Sequence, residues 1–370
     1  MCQKLIQTIY KNIISDKVLR IVLAVFLILL IFKPMAIKDI DIDTIMILFN
    51  LMLIISLVKR SNILAYISNS IINHVKTTRQ ITAYITITSF VLSMFVTNDV
   101  AIITLVPLYI IIAKQLSLSI VYPTVLITIA ANLGSAFTPI GNPQNVFLVE
   151  FYQISVKTFF ANSLLLLVMG IVSLLVLILF GDNKQLQQTP TEMINVKPIH
   201  VLMIAGLFVL VLLSQFSLFS IWSDTLITVL VVELFSPKSI ADVDYSLLLS
   251  FVFFFLIVGM LSRIDMVVSL IHQFTQTGID TYLTAIISSQ FISNVPSAVL
   301  LSKFSADFTS IYYGVSIGGL GTLVASLANL LAYKQISLNA PHSSGKFLKQ
   351  FTFINLILLL VLSLLKIILI

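Results

Sequence analysis

The 370-residue chain is 59% hydrophobic and only 10% charged, with a mean hydropathy of +1.10. A soluble domain carries about 25% charged residues, so this much apolar side chain exceeds what a water-soluble core can bury, and the chain reads as a polytopic membrane protein. The net charge of +6 is no nucleic-acid signal, because topology accounts for it below, and the lone Cys2 excludes both a disulfide framework and a cysteine metal site.

Taken in order, Lys4, Lys11, Lys17 and Arg20 precede a first apolar span near 21–32, which lacks a small-residue cleavage site and so is not expected to be removed. A second span is expected near 44–58. Residues 62–75 mix apolar and polar positions between basic flanks, the pattern of an amphipathic surface helix.

Residues 80–114 carry basic residues on both flanks and the triplet Thr97-Asn98-Asp99 halfway along. Each half is shorter than the roughly 20 residues a span needs, and Asn98 and Asp99 are enclosed by Phe95-Val96 and Val100–Ile103. A re-entrant helical hairpin with its tip at depth is therefore expected. The apolar stretch 119–153 is interrupted by Thr138-Pro139-Ile140-Gly141-Asn142-Pro143, where proline removes donors and glycine frees φ, so a broken helix is expected. A full span at 158–180 completes a first half, 1–180, and a polar stretch at 181–198 is expected as the cytoplasmic linker between the halves.

The second half, 199–370, opens with spans near 199–217, 219–236 and 246–262, then a mixed helix at 263–277. A second hairpin, 279–304, has Ser293-Asn294 at its tip; a glycine-rich broken stretch at 310–333 and a last span at 349–370 follow. The order of span, surface helix, hairpin, broken helix and span thus occurs twice. One additional span before the second copy inverts it, giving an all-α membrane protein of two inverted repeats with about 9 full spans plus 2 hairpins, the arrangement of many secondary transporters. With the N-terminus cytoplasmic, 15 of the 21 Lys and Arg residues fall inside, all but Lys33, Lys38, Lys157, Arg263, Lys303 and Lys366. This agrees with the positive-inside rule. A bacterial plasma membrane suits this topology.

Helix N-termini at the tips and breaks offer amide donors to an anion, and unwound carbonyls and side-chain oxygens suit Na⁺. The candidate substrate- and ion-binding residues of the first half are Thr97, Asn98, Asp99, Asn132, Gly134, Ser135, Thr138, Gly141, Asn142 and Asn145. Those of the second are Ser293, Asn294, Ser297, Gly319, Gly321, Thr322, Ser326 and Asn329. Laying 132–142 over 319–329 keeps Leu, Gly, Ser/Thr and the final Asn, pairing Asn142 with Asn329. Asp99 has two compatible readings. A carboxylate at depth must pair, bind a cation or hold a proton, and Asp is also a favoured N-cap for a helix starting at Val100. Asn98 and Asn294 could equally be turn residues of a hairpin tip, but buried tips are costly without a purpose. His74, His200, His272 and His342 have no metal-ligand spacing. No phosphate loop supports ATP-driven transport, and no cofactor is expected beyond Na⁺ or H⁺ as coupling ion, with Na⁺ placed near Asn98, Asp99 and Asn294.

FVTNDVAIITLVPL (95–108), ANLGSAFTPIGNPQN (131–145) and SQFISNVPSAVLL (289–301) resemble the citrate-transporter-like group of the ion transporter superfamily, which includes divalent-anion/sodium symporters, arsenite permeases and a branch of sodium/proton antiporters. The resemblance covers nearly the whole chain. It implies an elevator-type carrier, commonly a homodimer, coupled to Na⁺ or H⁺, with Asn98 and Asn294 matching the asparagine of a Ser-Asn-Thr motif. The tips here read Thr-Asn-Asp and Ser-Asn-Val, without the third-position threonine, and Asp99 is similar to the arsenite and antiporter branches. The expected activity is cation-coupled carriage of a small anion, a di- or tricarboxylate or an inorganic oxyanion. A Na⁺/H⁺ antiporter using Asp99 and an arsenite-type efflux permease are the alternatives. A passive channel needs no broken helices, and an enzyme would need a nucleophile–base pair or metal cluster at depth.

Overall fold

The computed structural model describes residues 16–61, 63, 66, 75–186, 196–215 and 218–369, and their regular structure is helical apart from one isolated bridge between Thr77 and Gln185. Most of the expected surface helix at 62–75 and the middle of the 181–198 linker lie outside the described residues. In chain order the helices are α1 (Lys17–Leu30), α2 (Ile42–Arg60), α3 (Thr78–Val96), α4 (Asn98–Gln115), α5 (Val121–Ser135), α6 (Pro143–Phe151), α7 (Val156–Leu179) and α8 (Pro198–Gln215). They continue as α9 (Ile221–Phe235), α10 (Tyr245–Leu261), α11 (Asp265–Gln273), α12 (Gly278–Ile292), α13 (Asn294–Ser302), α14 (Phe308–Gly318), α15 (Leu327–Asn339) and α16 (Ser344–Ile368). An apolar segment in lipid must satisfy its amides internally, which a helix does. Polar caps mark where helices start. Asp16 accepts the Leu19 amide at 2.9 Å, Thr77 and Gln80 form a reciprocal capping box before α3, and Thr277 accepts the Asp280 amide at 3.2 Å before α12.

Among the described residues, three helical stretches, Asn98–Gln115, Lys157–Leu179 and Pro341–Ile368, are long and apolar enough to cross a membrane alone. Tyr245–Leu261 and Asp265–Gln273 qualify together but are bent by 87°. The apolar helices Leu19–Leu30, Ile45–Val58, Val121–Ser135 and Pro198–Val211 are shorter. The first of the long stretches is α4, expected as the return arm of a hairpin, and it is enclosed by protein over most of its length. By contrast α7 exposes Leu164, Val168, Val172, Leu175 and Leu179 along one side, and α16 exposes Phe353, Leu360 and Leu364. Such continuous apolar faces require lipid or another apolar surface.

The chain divides into two compact units, each drawing on both halves of the sequence: Met1–Ile63 with Asn195–His272, and Leu64–Ile194 with Gln273–Ile370. In the first, α1 packs on α10 through Val22, Phe26, Leu256, Ile257 and Met260. A charged clamp fastens the loop after α1. Arg263 donates to both carboxylate oxygens of Asp39, at 3.1 and 2.8 Å, and to the Pro34 carbonyl at 3.2 Å. Gly259 makes room for it, since a Cβ there would strike the Asp39 carboxylate. Gly259→Ala is accordingly expected to displace Asp39 and lower stability by about 1–3 kcal/mol, read as a lower unfolding temperature of the detergent-purified protein. An unchanged unfolding temperature would show the clamp to be dispensable.

In the second unit the two expected hairpins are α3–α4 and α12–α13, and the two broken helices are α5–α6 and α14–α15. Each hairpin's first arm lies on the first half of a broken helix, α3 on α5 and α12 on α14. Each second arm lies on the second half of the other broken helix, α4 on α15 and α13 on α6. Glycines allow the close approaches: a Cβ on Gly134 would run into the Phe90 carbonyl, and one on Gly318 into Ser289.

Candidate functional site

Each hairpin turns on one residue. Helix α3 gives way to α4 at Thr97 (φ 75°, ψ 153°), and α12 to α13 at Ser293 (φ 74°, ψ 154°). Positive φ is uncommon for a residue with a Cβ and costs roughly 1–3 kcal/mol, so the surroundings must hold both tips in place. The following asparagines supply part of that hold. The Asn98 amide donates to the Gly141 carbonyl at 3.1 Å and the Asn294 amide to the Ala325 carbonyl at 2.9 Å, stitching each tip to a helix break.

The stitching recurs in detail. Thr138 Oγ1 donates to the Met94 carbonyl, and Thr322 Oγ1 to the Gln290 carbonyl at 3.0 Å. Asn145 Nδ2 clamps the carbonyls of Ser135, Ala136 and Thr138 at 3.2, 3.2 and 2.8 Å. Asn329 Nδ2 clamps those of Gly319 and Thr322 at 2.9 and 3.0 Å. These bonds correct the sequence overlay: Asn329 corresponds to Asn145, three residues beyond Asn142. The overlay followed the likeness of Asn-Leu-Gly to Gly-Leu-Gly, whereas the fold sets register by which loop carbonyls an asparagine reaches. Asn142 has a different task, donating to Ser135 Oγ at 3.2 Å and accepting the Asn145 amide at 2.9 Å.

A chain of asparagines joins the two halves. Because Asn329 Nδ2 is committed to two carbonyls, its Oδ1 faces Asn132, whose Nδ2 donates to it at 2.7 Å. Asn132 Oδ1 must then accept, and it takes Asn98 Nδ2 at 3.1 Å and Ser326 Oγ at 3.0 Å. All four residues are buried. One tip and both breaks thus share a single hydrogen-bond network centred on Asn132.

The first tip and the first break also hold oxygens with nothing to accept. Thr97 Oγ1, Asp99 Oδ1, Gln144 Oε1 and Asn145 Oδ1 are buried without a hydrogen-bond partner among the described residues. The corresponding second-half positions offer no such set: Ser293 Oγ donates to Asn294 Oδ1 at 3.4 Å, Asn329 Oδ1 is taken by Asn132, and Val295 and Ala328 stand where Asp99 and Gln144 stand in the first half. Asp99 does not cap a helix. Helix α4 starts at Asn98 rather than Val100, and the Asp99 amide is itself accepted by Asn98 Oδ1 at 2.9 Å. Buried oxygens with one carboxyl among them and no donor suit a hard cation.

A profile described as citrate transporter matches residues 11–310. The chain belongs to the citrate-transporter family. It is 36% identical over 312 residues, 83% of this chain and 85% of the relative, to an uncharacterized transporter of Methanocaldococcus jannaschii. It is 29% identical over 329 residues, 86% and 88% of the two chains, to the inner membrane protein YbiR of Escherichia coli. A shorter match, 28% over 145 residues, is to arsB of Dictyostelium discoideum, named as a transporter, of which it covers 26%. The protein is thus a membrane transporter of the anion-permease kind.

Within this citrate-transporter-family chain, the matched residues include both hairpins and the first broken helix, and stop short of Gly319–Asn329. The second break joins the site through its bonds to Asn132. Of the residues expected at the site, Ser297 stands apart, hydrogen-bonded to Ser288 within the second hairpin. Gly134 and Gly141 serve close packing, and Gly321 (φ 99°) serves the turn at the second break. Gln144 and Gln290 belong to the constellation although sequence reasoning passed over them. Gln290 accepts the Thr322 amide at 3.0 Å and donates to the Gly318 carbonyl at 2.7 Å. The available signal was an amide side chain inside an apolar run three residues before a polar tip.

Proposed function

We propose that the protein is a secondary active carrier that moves a small anion, a di- or tricarboxylate or an inorganic oxyanion, in exchange for the free energy of a Na⁺ or H⁺ gradient. The observation that carries this reading is the pairing of two hairpin tips with two broken helices joined through Asn132, with unpartnered oxygens at the first tip and break, Asp99 Oδ1 among them. Helices α4, α6, α13 and α15 all begin at these tips and breaks, and their amino ends favour an anion. The unpartnered oxygens of the first tip and break, with the Asp99 carboxyl, favour a cation, so the two binding events attract each other across a shared network. The two halves are inverted repeats in this reading, and nine spans with two re-entrant hairpins make up the transmembrane part. Every site residue lies in one compact unit, which supports elevator-type alternating access, where that unit carries its cargo as a body. The family relationship supports a citrate-like cargo, and the E. coli relative's name supports a plasma-membrane location. A homodimer with a cytoplasmic N-terminus completes the proposal.

A second reading, Na⁺/H⁺ antiport through Asp99, is favoured by one observation: no lysine or arginine hydrogen-bonds to the asparagine network among the described residues, so no fixed cation there awaits a carboxylate. An arsenite-type efflux permease draws support from the partial match to arsB. Proteoliposomes of the purified protein separate these. With Na⁺ or pH gradients imposed in turn, gradient-driven accumulation of citrate, succinate or arsenite is expected, falling at least tenfold in Asn98→Ala and Asn294→Ala. Na⁺-dependent proton movement with no anion present would replace the carrier reading with the antiporter.

A further inference from the structure

The first unit holds a second buried carboxyl that the transport centre does not use. Asp224, in the first turn of α9, is fully buried, as is Asn50 in the middle of α2. Asn50 Nδ2 donates to Asp224 Oδ2 and to Thr225 Oγ1, both at 3.0 Å, and Thr228 Oγ1 donates to Asp224 Oδ1 at 3.2 Å. The hydrogen of Thr225 is spent on the Ile221 carbonyl at 2.9 Å, so Thr225 must accept, which fixes the Asn50 amide with its nitrogen on that side. Asn50 Oδ1 is left buried with no partner. Ser214 Oγ, on the last turn of α8, stands beside the same carboxyl and is buried with no further partner.

A buried carboxylate needs a counter-charge. The basic residues of the packed elements stand at their far ends. Arg60 lies ten residues, about 15 Å, along α2 from Asn50 and is held by Asp242 at 2.6 Å. His200 lies fourteen residues, about 21 Å, along α8 from Ser214. The acids Asp43 and Glu233 are about 10 and 14 Å along their helices from Asn50 and Asp224. The carboxyl end of α8 adds negative potential at the cluster.

We propose that Asp224, Asn50 and Ser214 bind a monovalent hard cation, Na⁺, that ties α2, α8 and α9 together independently of the Asp99 centre. One carboxylate matches a single positive charge, and the two free neutral oxygens match its preferred ligands. The site stands on its own residues and would remain if the cargo or coupling ion of the Asp99 centre proved different.

Hydrogen–deuterium exchange of the detergent-purified full chain tests this, comparing NaCl with choline chloride and KCl at equal ionic strength. In both the wild type and Asp99→Asn, Na⁺ is expected to protect peptides covering residues 45–55 and 220–230. Asp224→Asn is expected to lose that protection while peptides around 95–100 keep their own Na⁺ response. If Asp224→Asn fails to fold, Ser214→Ala serves instead, with half-saturating Na⁺ raised at least fivefold at the α2 and α9 peptides. Protection that is absent, that persists in Asp224→Asn, that is unmoved in Ser214→Ala, or that follows pH rather than Na⁺ would overturn the proposal, the last outcome assigning Asp224 a proton.

Discussion

Asp99→Asn is expected to abolish gradient-driven transport, by about 100-fold or more, while leaving the unfolding temperature equal to or above that of the wild type. The two halves of that expectation come from one observation. The Asp99 carboxyl is buried with Oδ1 lacking a hydrogen-bond partner among the described residues, so in the absence of a cation it adds desolvation cost and little in return. An asparagine of the same shape removes the charge without opening a cavity, and the folded state gains or holds even. Cation affinity moves the other way. Removing the charged member of a buried ion pair costs about 3–5 kcal/mol, and each 1.4 kcal/mol is tenfold in affinity, so coupling is lost at ordinary ion concentrations. Uptake into proteoliposomes and thermal unfolding in Na⁺ and in choline read the two effects separately. Wild-type ion dependence in Asp99→Asn would place the coupling site elsewhere. A large loss of stability would make Asp99 structural.

The polar tips were legible because polar residues inside an apolar run stand out against the cost of burying them. Asn98 and Asn294 marked both helix-to-helix joints, and Pro139, Gly141 and Pro143 marked the first break to within a few residues. The contacts that make these positions one site were not legible. Asn132 and Asn329 are 197 residues apart, and nothing local in either segment specifies that they meet. The same limit explains the register of the second break, where similar short residues at 319–321 obscured which asparagine matches which. It also explains why compact units drawn from both halves of the chain were not anticipated. Asn50 and Asp224 could have been found by the rule that found Asp99. Asn50 is a lone polar residue in an apolar segment and Asp224 is the charged member of a Ser-Asp-Thr triplet that opens another, but neither sits at a break, and attention to breaks hid them.

Asn132→Ala is expected to abolish transport and to destabilise the second unit by about 3 kcal/mol or more. Truncation leaves Asn98 Nδ2, Ser326 Oγ and Asn329 Oδ1 buried without the partner each now has, and an orphaned buried polar group costs about 1–3 kcal/mol. Asn145→Ala is a useful contrast. Asn145 is as buried and holds more carbonyls, but all three belong to its own break, so its loss loosens one loop while the link between halves survives. A double-mutant cycle decides between a shared network and separate local effects. Asn132→Ala with Asn329→Ala is expected to show a coupling energy of about 1–3 kcal/mol in thermal or denaturant unfolding, because the second truncation removes the group that the first had orphaned. Asn145→Ala with Asn294→Ala, which share no bond, should combine additively to within about 0.5 kcal/mol. Additivity in the first cycle would mean that the halves are held together by packing alone. In that case Asn132 positions nothing across the site, and the attraction between an anion at the helix ends and a cation at Asp99 would have to travel through space rather than through this chain of amides.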